Sequence, residues 1–355
     1  MTLAAPPAFT SRWGSTRIDF GAGALDRLAA IAAGLRVNRI GMIASPSQMH
    51  GGSASAARAA LGGSVAATLS EVRPHAPAEL CDHAATALQE CDAILALGGG
   101  SALGLAKASA VRLSVPIVAV PTTYSGSEMT ALYGITTAGV KTVRFDSRAL
   151  PAAVIYDPIL TVGLPIREMA ASIFNCFAHA VEAAWAPVVP PLAAVAARAC
   201  AAFVGAGLTA YFAQQGWEAA ARLTVAGHLG GVALASGSMG LHHALCHALG
   251  GRTGASHGVL NSIVLPAVVE MNEAACPGVL AELVKPLPSE GSSRPSALLR
   301  DLRDRFGLPG RLADVGLQRE DIPAVAAAAA ASAGARANPS PVGPRAVVEL
   351  LRQIA

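Results

Sequence analysis

The chain has 355 residues, of which 53% are hydrophobic, 14% charged and only 4% aromatic, and its formal net charge is +3. This length exceeds what one ordinary hydrophobic core accommodates and favours two domains. The charges are scattered, without a run of Lys or Arg and without basic–aromatic interleaving. We therefore expect no nucleic-acid partner.

Two apolar stretches have to be distinguished from membrane spans. Ala183–Ala213 contains a single charge and is interrupted by Pro187, Pro190 and Pro191. Ile322–Ala335 is almost entirely alanine and is shorter than the roughly 20 residues that a bilayer requires. We predict buried helices in both places and no membrane partner.

The N-terminus and the cysteines bear on location. The N-terminal residues lack a charged region followed by an apolar one, so no secretory signal is predicted. Six cysteines are spread along the chain without a CxxC pair, as is typical of buried free thiols in a reducing compartment. We expect a cytoplasmic protein.

The first part of the chain alternates strand and helix patterns. Strands are predicted at Val37–Ser45, Val65–Val72, Ala93–Leu97 and Ile117–Val120, and helices at Ala54–Leu61, Pro77–Glu90 and Ala102–Arg112. Such alternation indicates a parallel sheet covered on both faces. Helical periodicity dominates beyond Asp157-Pro158, apart from a surface loop predicted at Lys285–Pro295. We predict a Rossmann-like α/β domain at residues 1–160 and an all-helical domain at residues 161–355.

A glycine-rich loop, Gly98-Gly99-Gly100-Ser101, separates a predicted strand from a predicted helix. Glycines let backbone N–H groups converge on an anion, and the helix N-terminus adds the positive end of its dipole. Ser101 can cap the helix or donate to a phosphate oxygen. The position in a βαβ unit favours phosphate binding over a ligand-free turn. Lys107 lies too far into the helix for a Walker A motif, which argues against phosphoryl transfer.

A second polar loop, Pro121–Glu128, follows the next predicted strand. Ligands of parallel sheets bind at the carboxyl ends of the strands, so both loops should face one crevice. The hydroxyl groups of Thr122, Thr123 and Ser127 suit contacts to ribose, phosphate or carboxamide. The alternative is an ordinary turn.

Histidines are concentrated in the helical half. Asn175 and His179 are four residues apart and share a helix face, as do His243 and His247, and His257 follows in a loop. Imidazoles paired in this way indicate a functional site. Two chemistries stay open: three imidazoles could hold a catalytic divalent metal, or imidazoles could act as acid–base groups or bind a substrate carboxylate without a metal.

These segments together resemble the iron-containing alcohol dehydrogenase superfamily nearly from end to end. Three details favour its maleylacetate reductase branch. Gly104 stands where the alcohol dehydrogenases usually have an Asp, PTTYSGSEMTALYG resembles the branch's PTTYxGSEMTxxYG loop, and GLHHALCHALGG is similar to its GxHHxLCHxLGG segment. The resemblance implies a dehydroquinate synthase-like fold, NADH or NADPH as cofactor, and a homodimer.

The resemblance also implies residue roles in cofactor binding. The pyrophosphate would be held by the glycine loop, the nicotinamide side would be lined by hydroxyl residues, and Lys141 would contribute a charge: Gly98, Gly99, Gly100, Ser101, Thr122, Thr123, Ser127 and Lys141. Ser45 stands where NAD-preferring relatives often have an Asp for the ribose. Without that carboxylate the site need not reject a 2′-phosphate, so NADH and NADPH both stay open.

The metal-dependent relatives bind their ion with an Asp and three His, and the matching positions here are Asn175, His179, His243 and His257. A neutral amide in place of an anionic ligand weakens the attraction for a hard divalent ion. We therefore do not expect stable iron or zinc binding, and weak uptake by three imidazoles stays open. After His257 the chain reads SHGVLNS, which is closer to the alcohol dehydrogenases than to the branch's PHAxTHA.

The predicted reaction is hydride transfer from NAD(P)H to a C=C bond conjugated to a carbonyl, as in maleylacetate giving 3-oxoadipate. His243 and His247 would stabilise the developing enolate, with Tyr124 as a proton source. The substrate is a carboxylate-bearing small molecule, and its candidate cationic contacts, otherwise solvated surface charges, are Lys141, Arg144 and Arg148. Two alternatives are a metal-dependent alcohol or aldehyde dehydrogenase and a non-redox lyase, isomerase or cyclase of a biosynthetic pathway.

Overall fold

The computed structural model describes residues 3–289, 291 and 294–355, so the loop predicted at Lys285–Pro295 lies partly outside the described residues. The chain forms two compact units. The first, an α/β unit, comprises Ala5–Thr123 and Ser127–Leu164. The second, a helical unit, comprises residues 3–4, Tyr124–Gly126 and Pro165–Ala355.

The α/β unit contains nine strands in its described residues. They are β1 (Phe9–Trp13), β2 (Thr16–Phe20), β3 (Ile40–Ala44), β4 (Val65–Leu69), β5 (Ala93–Gly98), β6 (Ile117–Pro121), β7 (Leu132–Thr137), β8 (Val140–Phe145) and β9 (Ala153–Tyr156). Seven form one sheet in the order β1-β2-β9-β6-β5-β3-β4, and β7 and β8 form a separate antiparallel hairpin.

The main sheet is parallel from β2 to β4, with β1 antiparallel at one edge. Strands β3, β5, β6 and β9 are buried along their whole length. They are runs of apolar residues without alternation, because helices cover both faces of a parallel sheet. The parallel α/β architecture predicted from the sequence is confirmed. The sequence analysis missed β1, β2, β9 and the β7–β8 hairpin.

Five helices belong to the α/β unit: α1 (Leu28–Leu35), α2 (Pro46–His50), α3 (Ser53–Leu61), α4 (Ala78–Ala87) and α5 (Gly100–Leu113). The predicted start of α5 at Ala102 is wrong by two residues, since Gly100 and Ser101 form its first turn. The prediction that Ser101 could cap the helix is also wrong. The N-cap is Gly99, and no side chain bonds to the free backbone N–H groups there.

The helical unit contains the remaining described helices: α6 (Ile166–Trp185), α7 (Pro191–Phe212), α8 (Gly216–Ser236), α9 (Leu241–Thr253), α10 (His257–Asn272), α11 (Pro277–Val284), α12 (Pro295–Arg305), α13 (Ile322–Ala330), α14 (Ala333–Arg336) and α15 (Pro344–Gln353). Of the prolines predicted to break the apolar stretch, Pro187 and Pro190 lie between α6 and α7, and Pro191 is the first residue of α7. The alanine-rich stretch Ile322–Ala335 is divided between α13 and α14.

Helix α6 forms the centre of this unit and contacts α7, α8 and α10. Helix α10 also packs against α9, so the segments that carry the predicted site histidines converge. Among the described helices, only α7 is long and apolar enough to cross a bilayer, and half of its most apolar window is buried inside the unit. Burial against α6 and α8 accounts for that composition, since a core helix is apolar on several faces.

Candidate active site

Three loops lie side by side at the carboxyl edge of the parallel sheet. The backbone N–H of Ser45, after β3, donates to the carbonyl of Leu97 at 3.1 Å. The backbone N–H of Thr122, after β6, donates to the carbonyl of Gly98 at 3.1 Å. The predicted cofactor residues of these loops therefore form one continuous surface within the α/β unit.

The glycine loop leaves room for an anion. An ideal β-carbon built at Gly99 would lie 2.9 Å from Cγ2 of Thr123, so a side chain there would separate the two loops. A β-carbon built at Gly100 would meet no atom within 4 Å. Gly100 is the first residue of α5, where backbone N–H groups lack partners. This open, donor-lined first turn fits a cofactor pyrophosphate.

Lys107 is buried in α5, and its side chain binds several backbone carbonyl groups. Its Nζ donates to the carbonyl oxygens of Ser127 and Thr130, each at 2.7 Å, and of Leu132 at 3.0 Å. Burial lowers the pKa of Lys107 from 10.5 to about 7, although the charge of Glu128 opposes the shift. Lys107 thereby fixes the segment that begins with Ser127, a role that its distance from the glycine loop gave no reason to predict.

A buried carboxylic acid, Glu128, lies near the side chain of Lys107. Glu128 is 1% exposed, and the hydroxyl group of Tyr156 donates to its Oε1 at 2.8 Å. Burial raises the pKa of Glu128 and also raises the pKa of Tyr156. The contact joins the loop after β6 to β9, so Glu128 supports the position of that loop.

The three predicted cationic contacts lie on or after the β7–β8 hairpin. Nζ of Lys141 lies 3.5 Å from Nδ1 of His75, and the side chain of Arg144 is exposed. Arg148 forms two hydrogen bonds with the carboxylate of Asp146, at 3.0 and 2.6 Å. The structure therefore favours the surface-charge alternative for Arg148 and gives Lys141 a basic neighbour.

The predicted histidines come together inside the helical unit. The rings of His179 in α6 and His243 in α9 are stacked, with centroids 4.8 Å apart. The His243 centroid lies 5.6 Å from that of His257 and 6.3 Å from that of His247, and His247 and His257 stack at 5.4 Å. Burial lowers the pKa of His179 well below its ordinary value.

Glu182 is a site residue that the sequence analysis missed. It lies one turn after His179 on α6, and its Oε2 accepts a hydrogen bond from Nδ1 of His243 at 2.5 Å. Burial raises the pKa of Glu182, but its charge and hydrogen-bond interactions with His243 outweigh burial and lower it overall. A single Glu in an alanine-rich helix gave no signal, because its partner lies 61 residues away.

A second set of hydrogen bonds was also unforeseen. Oδ1 of Asn261 lies 2.5 Å from Nε2 of His242. The amide nitrogen of Asn261 donates to the carbonyl of His257 at 2.6 Å and to Oδ1 of Asn175 at 3.3 Å. Asn261 thus links α9, the start of α10 and α6. Burial lowers the pKa of His242 to about 4.

The donor set does not match a resident divalent ion. In the described part of the chain, no group of three or more His, Cys, Asp or Glu side chains is arranged to hold a metal. The fourth position, Asn175, supplies a neutral amide whose oxygen already accepts from Asn261. Nδ1 of His179 and Nε2 of His243 are buried without a protein partner among the described residues, so the cluster retains polar atoms that could bind a ligand.

Tyr124 lies in the short segment Tyr124–Gly126 that belongs to the helical unit. Its side chain is buried, and its carbonyl would lie 2.9 Å from a β-carbon built at Gly227 of α8. A β-carbon at Gly126 would in turn lie 2.4 Å from the carbonyl of Gly227. Glycines on both sides let the segment lie directly on α8, which fixes Tyr124 in the unit that carries the histidines.

A parallel sheet with an open glycine loop, followed by a helical unit with a buried histidine cluster, defines a class of NAD(P)-dependent oxidoreductases. Residues 15–158 match the family described as iron-containing alcohol dehydrogenase, and residues 169–355 match the C-terminal part of the same family. The chain belongs to the iron-containing alcohol dehydrogenase family, and within it to the maleylacetate reductase branch.

Individual relatives support this placement. The chain is 37% identical to a maleylacetate reductase from Pseudomonas sp. (strain P51) over 340 residues, which cover 95% of each chain. The crystal structure of a maleylacetate reductase from Rhizobium sp. strain MTP-10005 is similar with a TM-score of 0.82, 34% identity and 98% of each chain covered. That of a maleylacetate reductase from Agrobacterium tumefaciens gives 0.83 and 33%, and covers 100% of this chain and 97% of the relative.

Proposed function

We propose that this protein reduces the C=C bond of maleylacetate, or of a closely related unsaturated oxo acid, with NADH or NADPH, giving 3-oxoadipate from maleylacetate. The observation that carries the proposal is the cluster of buried His179 and His243 with half-buried His257, and with Asn175 in place of an acidic ligand. Imidazoles without an anionic metal ligand suit proton transfer and hydrogen bonding to a substrate oxygen. Relatives of the same length and branch are named maleylacetate reductases.

The bound nicotinamide supplies the hydride. The protein's part in cofactor binding falls to the three loops at the sheet edge. The backbone N–H groups of Gly100 and Ser101 in the first turn of α5 would bind the pyrophosphate, and Thr122 and Thr123 would contact the nicotinamide half. Ser45 carries no charge to reject a 2′-phosphate, so NADH and NADPH are both candidate cofactors.

The histidines and Tyr124 stabilise negative charge and transfer protons. Hydride addition to the alkene carbon β to the ketone pushes the C=C electron pair toward the ketone oxygen and forms an enolate. His247 would donate a hydrogen bond to that oxygen and stabilise its charge, whereas His243 would take an acid–base role. Tyr124 delivers a proton to the α carbon, which completes a net addition of one hydride and one proton.

A dianionic substrate also requires cationic contacts. Lys141, with His75 at 3.5 Å, presents two basic groups in one place, whereas Arg148 is bound to Asp146. We assign charge recognition to Lys141, for the substrate or the cofactor phosphates. We further propose that the enzyme is a cytoplasmic homodimer, in keeping with its six free cysteines.

The test is an absorbance assay at 340 nm with maleylacetate and either NADH or NADPH, run with and without EDTA. We expect oxidation of cofactor stoichiometric with 3-oxoadipate formation, unaffected by EDTA. Failure to oxidise either cofactor while maleylacetate is converted would support the non-redox alternative. Complete absence of turnover with maleylacetate would overturn the proposed substrate.

The second candidate function is a metal-dependent alcohol or aldehyde dehydrogenase. It is favoured by the segment after His257, which resembles the alcohol dehydrogenases more than the reductase branch. Activity that is abolished by EDTA and restored by Fe²⁺ or Zn²⁺ would establish this candidate in place of the first.

A further inference from the structure

Glu182 satisfies three donors with one buried carboxylate. Its Oε2 accepts from the backbone N–H of Gly240 at 2.8 Å and from Nδ1 of His243 at 2.5 Å, and its Oε1 accepts from the backbone N–H of His242 at 2.7 Å. The Glu182 side chain is 1% exposed. Burying an ionised carboxylate is unfavourable unless its oxygens are hydrogen-bonded, and these donors meet that requirement.

Two of the donors belong to the start of α9, where backbone N–H groups have no partner within the helix. The N-cap of α9 is Gly240, which has no side chain to accept from them. A β-carbon built at Gly240 would lie 2.6 Å from Oε1 of Glu182, so glycine is what admits the carboxylate. Capping alone explains an acceptor at this position, but it does not explain the third bond, to His243.

That third bond determines which edge of the His243 ring is available. A carboxylate has no hydrogen to offer, so the ring proton lies on Nδ1. Nε2, on the opposite edge, is buried and has no protein partner among the described residues. The ring is stacked on His179 and lies 5.6 Å from His257, centroid to centroid, inside the site cluster.

The neighbouring residue, His242, is held in the opposite tautomer. The amide nitrogen of Asn261 donates to two oxygens, so its Oδ1 is the atom that faces Nε2 of His242 at 2.5 Å. His242 therefore carries its proton on Nε2 and His243 carries its proton on Nδ1. Two neighbouring imidazoles on one helix are fixed as opposite tautomers by two different partners.

We propose that Glu182 is a positioning residue for the reaction: it fixes the ring orientation and the Nδ1-protonated tautomer of His243, so that the unprotonated Nε2 is presented to the substrate as a base and hydrogen-bond acceptor. An anionic acceptor on one ring nitrogen increases the basicity of the other. The kinetic consequence rests on the proposed function, whereas the tautomer follows from the hydrogen bonds alone.

The first experiment needs no active enzyme. Long-range ¹H–¹⁵N correlation spectra of the wild-type protein report the tautomer of each imidazole, and H243Q assigns the signals of His243 by their loss. We expect Nδ1 of His243 to be protonated and Nε2 of His242 to be protonated. A wild-type spectrum in which Nδ1 of His243 is bare would overturn the proposal.

The second experiment uses E182Q, because an amide must direct its NH₂ group at one of the three donors. We expect kcat for maleylacetate reduction to fall about 100-fold, while KM for the cofactor changes less than about twofold. Thermal unfolding and cofactor binding show whether the variant is folded. If E182Q does not fold, the wild-type spectrum decides the matter alone.

A double-mutant cycle separates positioning from capping. If Glu182 acts through His243, adding E182Q to H243Q should lower kcat less than about twofold further, because both variants remove the same contribution. An equal factor in both backgrounds would mean that Glu182 only caps α9, which would overturn the proposal. If maleylacetate is not reduced at all, the proposed function fails and the spectra still test the tautomer.

Discussion

The carbonyl oxygen of Cys176 in α6 lies so close to Gly230 in α8 that an ideal β-carbon at Gly230 would stand 2.7 Å from it. The two helices therefore approach as closely as backbones allow, at the residue that directly follows Asn175 and lies three residues before His179. The lack of a side chain at Gly230 is what allows α6 to lie this close to α8.

This contact predicts the effect of G230A. A methyl group would have to displace backbone, which costs about 1–3 kcal/mol when a packed core is overfilled. Urea unfolding measures the change in the free energy of unfolding. The matched control is G278A in α11, where a β-carbon meets nothing within 4 Å. There the helix gains up to about 1 kcal/mol from alanine, and equal effects of the two variants would contradict the packing argument.

A second prediction concerns the glycine loop. G100A places a methyl group where the protein has no atom within 4 Å, so the fold should keep its stability. If the pyrophosphate binds there, the methyl group takes up its space and NADH affinity falls by about tenfold or more. Fluorescence titration with NADH gives the dissociation constant. G104A, equally open but one turn further along α5, serves as control and should bind NADH like the wild type.

Restoring an acidic ligand should restore metal affinity. In N175D the oxygen that accepts from Asn261 is kept, and a charge is added beside the three imidazoles. We expect affinity for Fe²⁺ and Zn²⁺ to rise by at least about tenfold, since even outer partners of metal ligands contribute that much. Elemental analysis after dialysis against metal provides the comparison. Equal metal content in wild type and N175D would show that the amide is not what limits binding.

Stability should also depend on pH through His242. Burial lowers the pKa of this residue to about 4 in the folded protein, whereas the unfolded side chain takes up its proton near 6.5. The neutral ring therefore contributes fully above pH 6.5, and this contribution is lost as the pH falls from 6.5 towards 4. The loss attributable to His242 is about 3 kcal/mol.

The measurement is urea unfolding of the wild type and H242Q across that pH range. The glutamine retains a donor for Asn261 but does not titrate. We expect the wild type to lose more stability than H242Q on acidification. Parallel curves for the two proteins would mean that His242 is not the group responsible.

Most of the fold could be predicted from short sequence patterns. The apolar run Ala93–Leu97 and the glycines after it predict, within eight residues, a buried strand and the turn that leads into α5. The four-residue spacings of Asn175 with His179 and of His243 with His247 identify shared helix faces. In each case the pattern and the structure that it indicates lie within eight residues of sequence.

The residues that the sequence analysis missed have partners that are far away in the sequence. Glu182 acts on donors 58 to 61 residues away, and Lys107 binds carbonyl groups 20 to 25 residues further along the chain. Neither side chain belongs to a periodic pattern that reveals its partner. Strand β9 is only four residues long, so its length gave no strand signal apart from the sheet that it completes.

The backbone of this protein passes between its two units four times, because residues 3–4 and Tyr124–Gly126 are parts of the helical unit. Leu3 accepts a hydrogen bond from Arg222, and Gly126 lies against Gly227. A fragment that begins at Pro165 would lack both pieces and expose the residues of α8 that they contact. The helical unit is thus not a module that can be excised or exchanged by a single cut. Swapping the site of one relative for that of another requires carrying the Tyr124 segment with it.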